Sequence, residues 1–224
     1  MTRIHVKEVL LADGWASDKT LVIDNGMITD ILDGDQNCDV SHSVIIPGMI
    51  NCHSHAFQRA FAGFSEQGSD SKDSFWTWRQ VMYKFLSQLT AEDAQVIATQ
   101  LYIEMLKAGY TRVAEFHYLH HEQSGDVYQP LSTMAKAIFE SAQTSGIGLT
   151  MLPVLYRFSG FGPQPATEGQ RRFINSTEQF NQLVTECFEL SNQYSNANVG
   201  IAPHSLRAVD KPSLEQAVSH VRSL

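Results

Sequence analysis

The sequence is short of positive charge, of cysteine and of unbroken apolar length. Its 16 Lys and Arg stand against 24 Asp and Glu in 224 residues, a formal net charge of −8, with pI ≈ 5.5. That balance lacks the electrostatic footprint of a nucleic-acid or anionic-membrane binder, so the expected partner is a small molecule, with neither nucleic acid nor membrane. The 3 cysteines, Cys38, Cys52 and Cys187, are odd in number and widely spaced, which speaks against a disulfide framework and suits a reducing compartment. Each is expected as a buried small residue rather than a nucleophile. No apolar run approaches the roughly 18 residues of a membrane span. Met1-Thr-Arg-Ile-His-Val-Lys is interrupted by charge before a signal-type core could form, and a cytoplasmic location is expected. No short repeat and no low-complexity tract is visible.

What is present is enough for a globular core: 43% of the residues are hydrophobic and 18% charged, in a length that suits one or two domains. Residues 3–11 and 20–31 alternate apolar and polar side chains, and Asp24-Asn25-Gly26 between two apolar runs predicts a hairpin. Residues 33–43 are rich in turn formers and read as a connector into a strand at 44–52. Pro47-Gly48 inside that strand predicts a bend or bulge. A Gly- and Ser-bearing loop runs from Gly63 to Ser71. Thr90-x-x-Asp93 caps a helix from Ala91 to about Lys107, and a strand follows over Thr111–Leu119. A helix over Pro130–Ser145, a strand over Ile147–Tyr156, a helix capped by Ser176-x-x-Gln179, a strand over 198–203 and a helix opened by Lys211-Pro212-Ser213 complete the pattern. Strands alternating with helices predict about four βα units and a parallel sheet, half of an eight-stranded barrel of ~250 residues. The segment 157–175 is long for a compact domain and is expected to serve as a lid or binding loop.

The chemistry gathers at the strand ends. In an extended strand alternate side chains share a face, so His53 and His55 project the same way, about 6.6 Å apart along the backbone. Two imidazoles so placed can close on one metal ion, but a catalytic site takes three or so protein ligands and one open position, so the pair is at most half a site. The aromatic stripe from Phe75 to Phe85 is expected in the core, whereas Arg79 within it is costly to bury unless it meets an anion. His204 stands at a strand end beside Arg207, either as a functional group or as a cap for the following helix. His117, His120 and His121 could suggest a second metal cluster, although adjacent histidines point apart. Cys52 faces away from His53 and reads as packing rather than as a ligand.

The β unit followed by Pro47-Gly-Met-Ile-Asn-Cys-His-Ser-His resembles the amidohydrolase superfamily, in particular its metal-dependent deaminases. Four motifs, His53-Ser-His-Ala-Phe-Gln-Arg-Ala, Phe75-Trp-Thr-Trp-Arg-Gln-x-Met-Tyr, Glu115-Phe-His-Tyr-Leu-His-His and Ala202-Pro-His-Ser-Leu-Arg-Ala-Val, resemble the formimidoylglutamate deiminase family, from about residue 20 to the end. The resemblance implies an α/β fold: a small β-sandwich segment at 1–45, then the N-terminal half of a TIM-type (β/α)8 barrel at 46–224. It implies zinc, or another divalent metal, held by His53 and His55, with Gln58 beside the formimino group in a catalytic role. Arg79, Tyr118, His204 and Arg207 would bind the substrate, the arginines meeting its carboxylates. The implied reaction is hydrolytic deamination of N-formimino-L-glutamate to N-formyl-L-glutamate and ammonia, in histidine degradation, by a homo-oligomer such as a dimer. The sequence departs from the family by ending before the later strands that carry a third and fourth His, a catalytic Glu and an Asp. An inactive N-terminal portion is therefore the expectation. Two alternatives stay open: a purine or pyrimidine deaminase, which the two arginines disfavour because neutral bases have no carboxylates, and a non-catalytic half-barrel.

Overall fold

A computed structural model describes residues 1–65 and 75–224, and the side chains of residues 75–77 are not described. Positions 66–71 of the expected loop and the first three side chains of the aromatic stripe therefore lie outside the described residues. The chain forms two compact units, Met1–Gly48 and Met49–Leu224.

In the first unit, β1 (Thr2–Leu11), β2 (Gly14–Asp24), β3 (Met27–Asp33) and β4 (Val40–Ile45) make one sheet in the order β3-β2-β1-β4. Its neighbours are antiparallel except for the parallel pair β1 and β4. The hairpin between β2 and β3 turns on Asn25 and Gly26, at φ 49° and 78°, the two positive angles that a type I′ turn needs and that Asn-Gly supplies cheaply. Val6, Val9 and Leu21 are its buried core.

The apolar run expected as one strand over 44–52 is two. β4 ends at Ile45 in the first unit, and β5 (Met49–Ser54) begins the second. Ile46-Pro47-Gly48 separates them, because Pro47 has no N–H to give a ladder and a fixed φ. In the second unit β5, β6 (Tyr110–His117), β7 (Gly148–Leu155) and β8 (Ala197–Val199) are parallel in that order, and β9 (Ala202–Pro203) pairs with β7 beyond β8. The strand expected over 198–203 is thus two short pieces. Gly200 breaks them where a Cβ would lie 3.0 Å from Leu152 Cδ2.

The helices are α1 (Phe75–Leu86), α2 (Ala91–Lys107), α3 (Thr133–Ser145), α4 (Thr177–Ser191) and α5 (Lys211–Val221). Capping boxes at Thr90 and Ser176 start α2 and α4 as their spacing predicts. α3 starts at Thr133 rather than Pro130, and Gly146 at φ 85° ends it. The cap of α5 is Asp210, whose carboxylate accepts from Ser213 N at 2.8 Å, so capping is not the role of His204. The main core joins Tyr102 and Met105 of α2, Ile138 and Phe139 of α3 and Leu183 of α4 to Val113, Leu149 and Met151 of the sheet. Each such side chain contributes roughly 1.5–3 kcal/mol on burial. No helix among the described residues is long and apolar enough to cross a membrane.

His117, His120 and His121 lie buried beside this core, at 2%, 1% and 2% exposure. His120 Nε2 meets Val154 O at 3.1 Å and His121 Nε2 meets Ile174 O at 2.7 Å. Burial disfavours the imidazolium of all three, holding His117 at about 4 and depressing the other two. An unfolded histidine titrates near 6.5, so below that pH the unfolded chain binds more protons than the folded one. The stability these residues confer is whole above pH 6.5 and is lost as pH falls towards 4, on the order of 3 kcal/mol for His117 alone. Thermal melts are expected to shift downwards between pH 7 and pH 4.5. A melting temperature flat across that range would mean the cluster is not buried neutral.

Candidate functional site

The β5–β6 register shifts once between Met49 and Ile50 and again between Asn51 and Ser54, where the strand ends against Glu115. This break, at the end of the strand, turns the two histidines towards each other. His53 Nε2 and His55 Nε2 lie 3.0 Å apart, close to the about 3.3 Å expected of two ligands on a tetrahedral zinc with bonds near 2.05 Å. His55 Nδ1 meets Phe116 O at 3.0 Å. A carbonyl only accepts, so the proton sits on Nδ1 and Nε2 keeps its lone pair, the arrangement of a metal-ligating histidine oriented from behind. Burial, and then the proximity of His53, holds His55 below its usual pKa against the opposing pull of that carbonyl. The donor pair therefore fits a divalent metal. Among the described residues no cluster of three His, Cys, Asp or Glu forms, so His117, His120 and His121 do not make a second centre.

His55 also lines a cleft of ≈ 300 Å3 together with Gln58, Arg79, Tyr118, His204 and Arg207. Of the residues that the resemblance assigns to metal or substrate, only His53 is outside this lining, and it meets His55. Gln58, in the short 3-10 turn Ala56–Phe61, donates from Nε2 to Tyr118 Oη at 2.7 Å. Arg79, half-buried, donates from Nε to Tyr83 Oη at 2.5 Å with its guanidinium 5.1 Å from the centre of that ring. His204 takes its place from β9 and from its own N–H on Leu155 O at 2.9 Å. Burial and the neighbouring Arg207, His55 and Arg79 hold it at about 4, so it is neutral at physiological pH. Arg207 is exposed at the rim.

Sequence reasoning missed several walls of this cleft. Tyr156 stacks on His204 with ring centres 4.0 Å apart, and Phe173 sets its edge against Tyr118 at 4.9 Å. Tyr156 ends an apolar strand, the same position that marks Tyr118 and His204, and that placement was the available signal. Phe173 comes from the segment 157–175, whose latter half is buried rather than lid-like. Cys52, expected in packing, is exposed, and of the three cysteines only Cys187 is buried. The register shift takes Cys52 out of the regular ladder and leaves its side chain outside the core.

The amidohydrolase family model matches residues 44–223. Formimidoylglutamate deiminase of Pseudomonas aeruginosa is 46% identical over 213 residues, which are 93% of this chain and 47% of that protein. A crystal structure of an amidohydrolase from Brucella melitensis superposes with a TM-score of 0.95 at 46% identity, over 99% of this chain and 50% of that one. An adenosine deaminase from Xanthomonas campestris with bound zinc shares the fold at a TM-score of 0.70 and 15% identity, over 99% and 46% of the two chains. The chain thus spans about half the length of the proteins it matches. Its α/β architecture is that of the N-terminal part of their barrel, preceded by the β-sandwich-like sheet. With a family model running from β4 to the last helix and a curated relative nearly half identical over almost all of its length, the chain belongs to the amidohydrolase family.

Proposed function

We propose that this chain is the N-terminal part of a metal-dependent deiminase that hydrolyses N-formimino-L-glutamate to N-formyl-L-glutamate and ammonia, in cytoplasmic histidine degradation. The observation that carries the reading is one cleft holding a convergent histidine pair at one end and two arginines among its walls. The 46% identity to a formimidoylglutamate deiminase supports the substrate. Residues 1–45 are assigned as a β-sandwich segment and 46–224 as the first four βα units of the barrel. His53 and His55 hold the metal, which when bound lowers the pKa of a water molecule and so supplies a nucleophile near neutral pH.

The remaining roles follow from donors and charge. A dianionic glutamate derivative calls for planar cations, and Arg79 and Arg207 offer bidentate donors to its carboxylates. The Gln58 amide spends one N–H on Tyr118 Oη and keeps Oε1 to accept from the amidine nitrogen. His204 is uncharged and lines the cleft, so its ring can hydrogen-bond substrate without bringing a charge.

Three outcomes test this reading. Replacing His53 and His55 together abolishes zinc uptake in the full-length protein, whereas replacing His120 and His121 lowers stability and leaves zinc in place. Those two Nε2 atoms are committed to Val154 and Ile174 carbonyls. Equal zinc in both double variants, by elemental analysis, would overturn the assignment. Arg207→Ala raises KM for N-formimino-L-glutamate by the equivalent of about 2–5 kcal/mol with zinc content unchanged, and wild-type kinetics in a zinc-poor variant would reverse that role. The 224-residue chain alone self-associates, because the β5 edge has no outer partner among the described residues and exposes Met49 and Ile50, at 46% and 59%. It also releases no ammonia. A stable monomer in sedimentation, or turnover at the roughly 1–10³ s⁻¹ usual for enzymes, would show the catalytic unit to be misplaced.

A further inference from the structure

Glu115 lies behind the histidine pair, fully buried at 0% exposure, and among the described residues it has no ion-pair partner. A carboxylate taken out of water without a cation costs several kcal/mol unless donors surround it. Here two donors do: Oε1 accepts the Ala56 N–H at 2.6 Å and Oε2 accepts the Tyr102 hydroxyl at 3.0 Å. Ala56 directly follows His55, and Ser54, just before it, is paired with Glu115 in the strand register. Ala56 opens the 3-10 turn that follows β5, so its N–H has no partner within the turn, and the carboxylate supplies one. The next residue of β6, Phe116, gives its carbonyl to His55 Nδ1 at 3.0 Å. Glu115 and Phe116 thus hold the turn from opposite sides, one by its backbone and one by its ring. Glu115 does not line the cleft, so it touches neither substrate nor water there.

We propose that Glu115 is a positioning residue for metal binding: by clamping the Ala56 N–H it holds His53 and His55 with their Nε2 atoms convergent before any ion arrives. This rests on the reading of His53 and His55 as metal ligands. The backbone of a strand end with a broken ladder would otherwise be free to swing His55, and groups that orient metal ligands from behind are worth about 10–100-fold in affinity. Tyr102 shares the same carboxylate but lies away from the histidines, so it separates positioning from packing.

The test is titration of the protein with Zn2+ in competition with a chromophoric chelator, alongside thermal melts of the metal-free forms. Glu115→Ala is expected to weaken Zn2+ binding about 100-fold, and Glu115→Gln, which keeps one acceptor and loses the charge, about tenfold. Tyr102→Phe is expected to lower the melting temperature and leave Zn2+ affinity within about threefold of wild type. If Glu115→Ala does not fold, Glu115→Gln decides. Wild-type affinity in the folded Glu115 variant, or a Tyr102→Phe loss as large as that of the Glu115 variant, would overturn the proposal, the second because general loosening of the core would then suffice. A His53→Ala, His55→Ala variant run in parallel separates the two claims: Zn2+ retained there at wild-type affinity would refute the ligand pair itself.

Discussion

A carboxylate buried with no cation is the constraint on which the functional end of the sheet depends. Glu115 occupies a position in β6 whose neighbours on the same face, Val113 and His117, are also buried. Any side chain there must be apolar or fully hydrogen-bonded, and a glutamate in that place forces donors to converge on it. The donors it draws are the Tyr102 hydroxyl of α2 and the Ala56 N–H just after His55. The same interaction thus ties a helix to the sheet and shapes the strand end that carries the histidines. Accepting the first N–H of the 3-10 turn lets the chain leave β5 without stranding a buried donor.

The electrostatics of the cleft are consistent with that frame. Arg79 and Arg207 contribute positive charge, while His55 is held neutral by burial and then by His53, and His204 by burial and by those same arginines. A neutral imidazole keeps its lone pair for a metal or a hydrogen bond, and a guanidinium donates without accepting. The site therefore separates permanent cations from uncharged nitrogens, as an anionic substrate with a reactive amidine requires. Burial sets the histidines, and fixed charge sets the arginines.

Much of this was legible in the sequence, for identifiable reasons. Capping boxes, Asn-Gly and the glycine after α3 act within a few residues, so Thr90, Ser176, the β2–β3 turn and Gly146 fall where local rules put them. The His-x-His spacing acts locally too, and its Nε2 atoms meet at 3.0 Å. What local rules missed was decided by partners distant in sequence. Whether the run at 44–52 is one strand or two depends on which sheet each half joins, and the two pieces at 197–203 both depend on β7. Glu115 had no role in the sequence reading, because its donors come from residues 56 and 102 and only the fold brings them together.

The segment 157–175 shows why length alone is a poor guide to a loop. A lid must be able to leave, and for that its polar groups must be content in water. Here Arg172 is 2% exposed and donates to Leu86 O, to Leu89 O at 2.9 Å and to His121 O at 2.8 Å, while its own carbonyl accepts from His120 N at 2.9 Å. Opening would strip a guanidinium from its carbonyls and leave those of α1's end unsatisfied, a cost that grows with each buried partner lost. Gln170 adds a bond to Tyr156 Oη at 2.6 Å, and Tyr156 stacks on His204. The latter half of this segment is therefore part of the wall that sets His204. Only the stretch at about residues 161–168 is exposed, and it stands outside that wall.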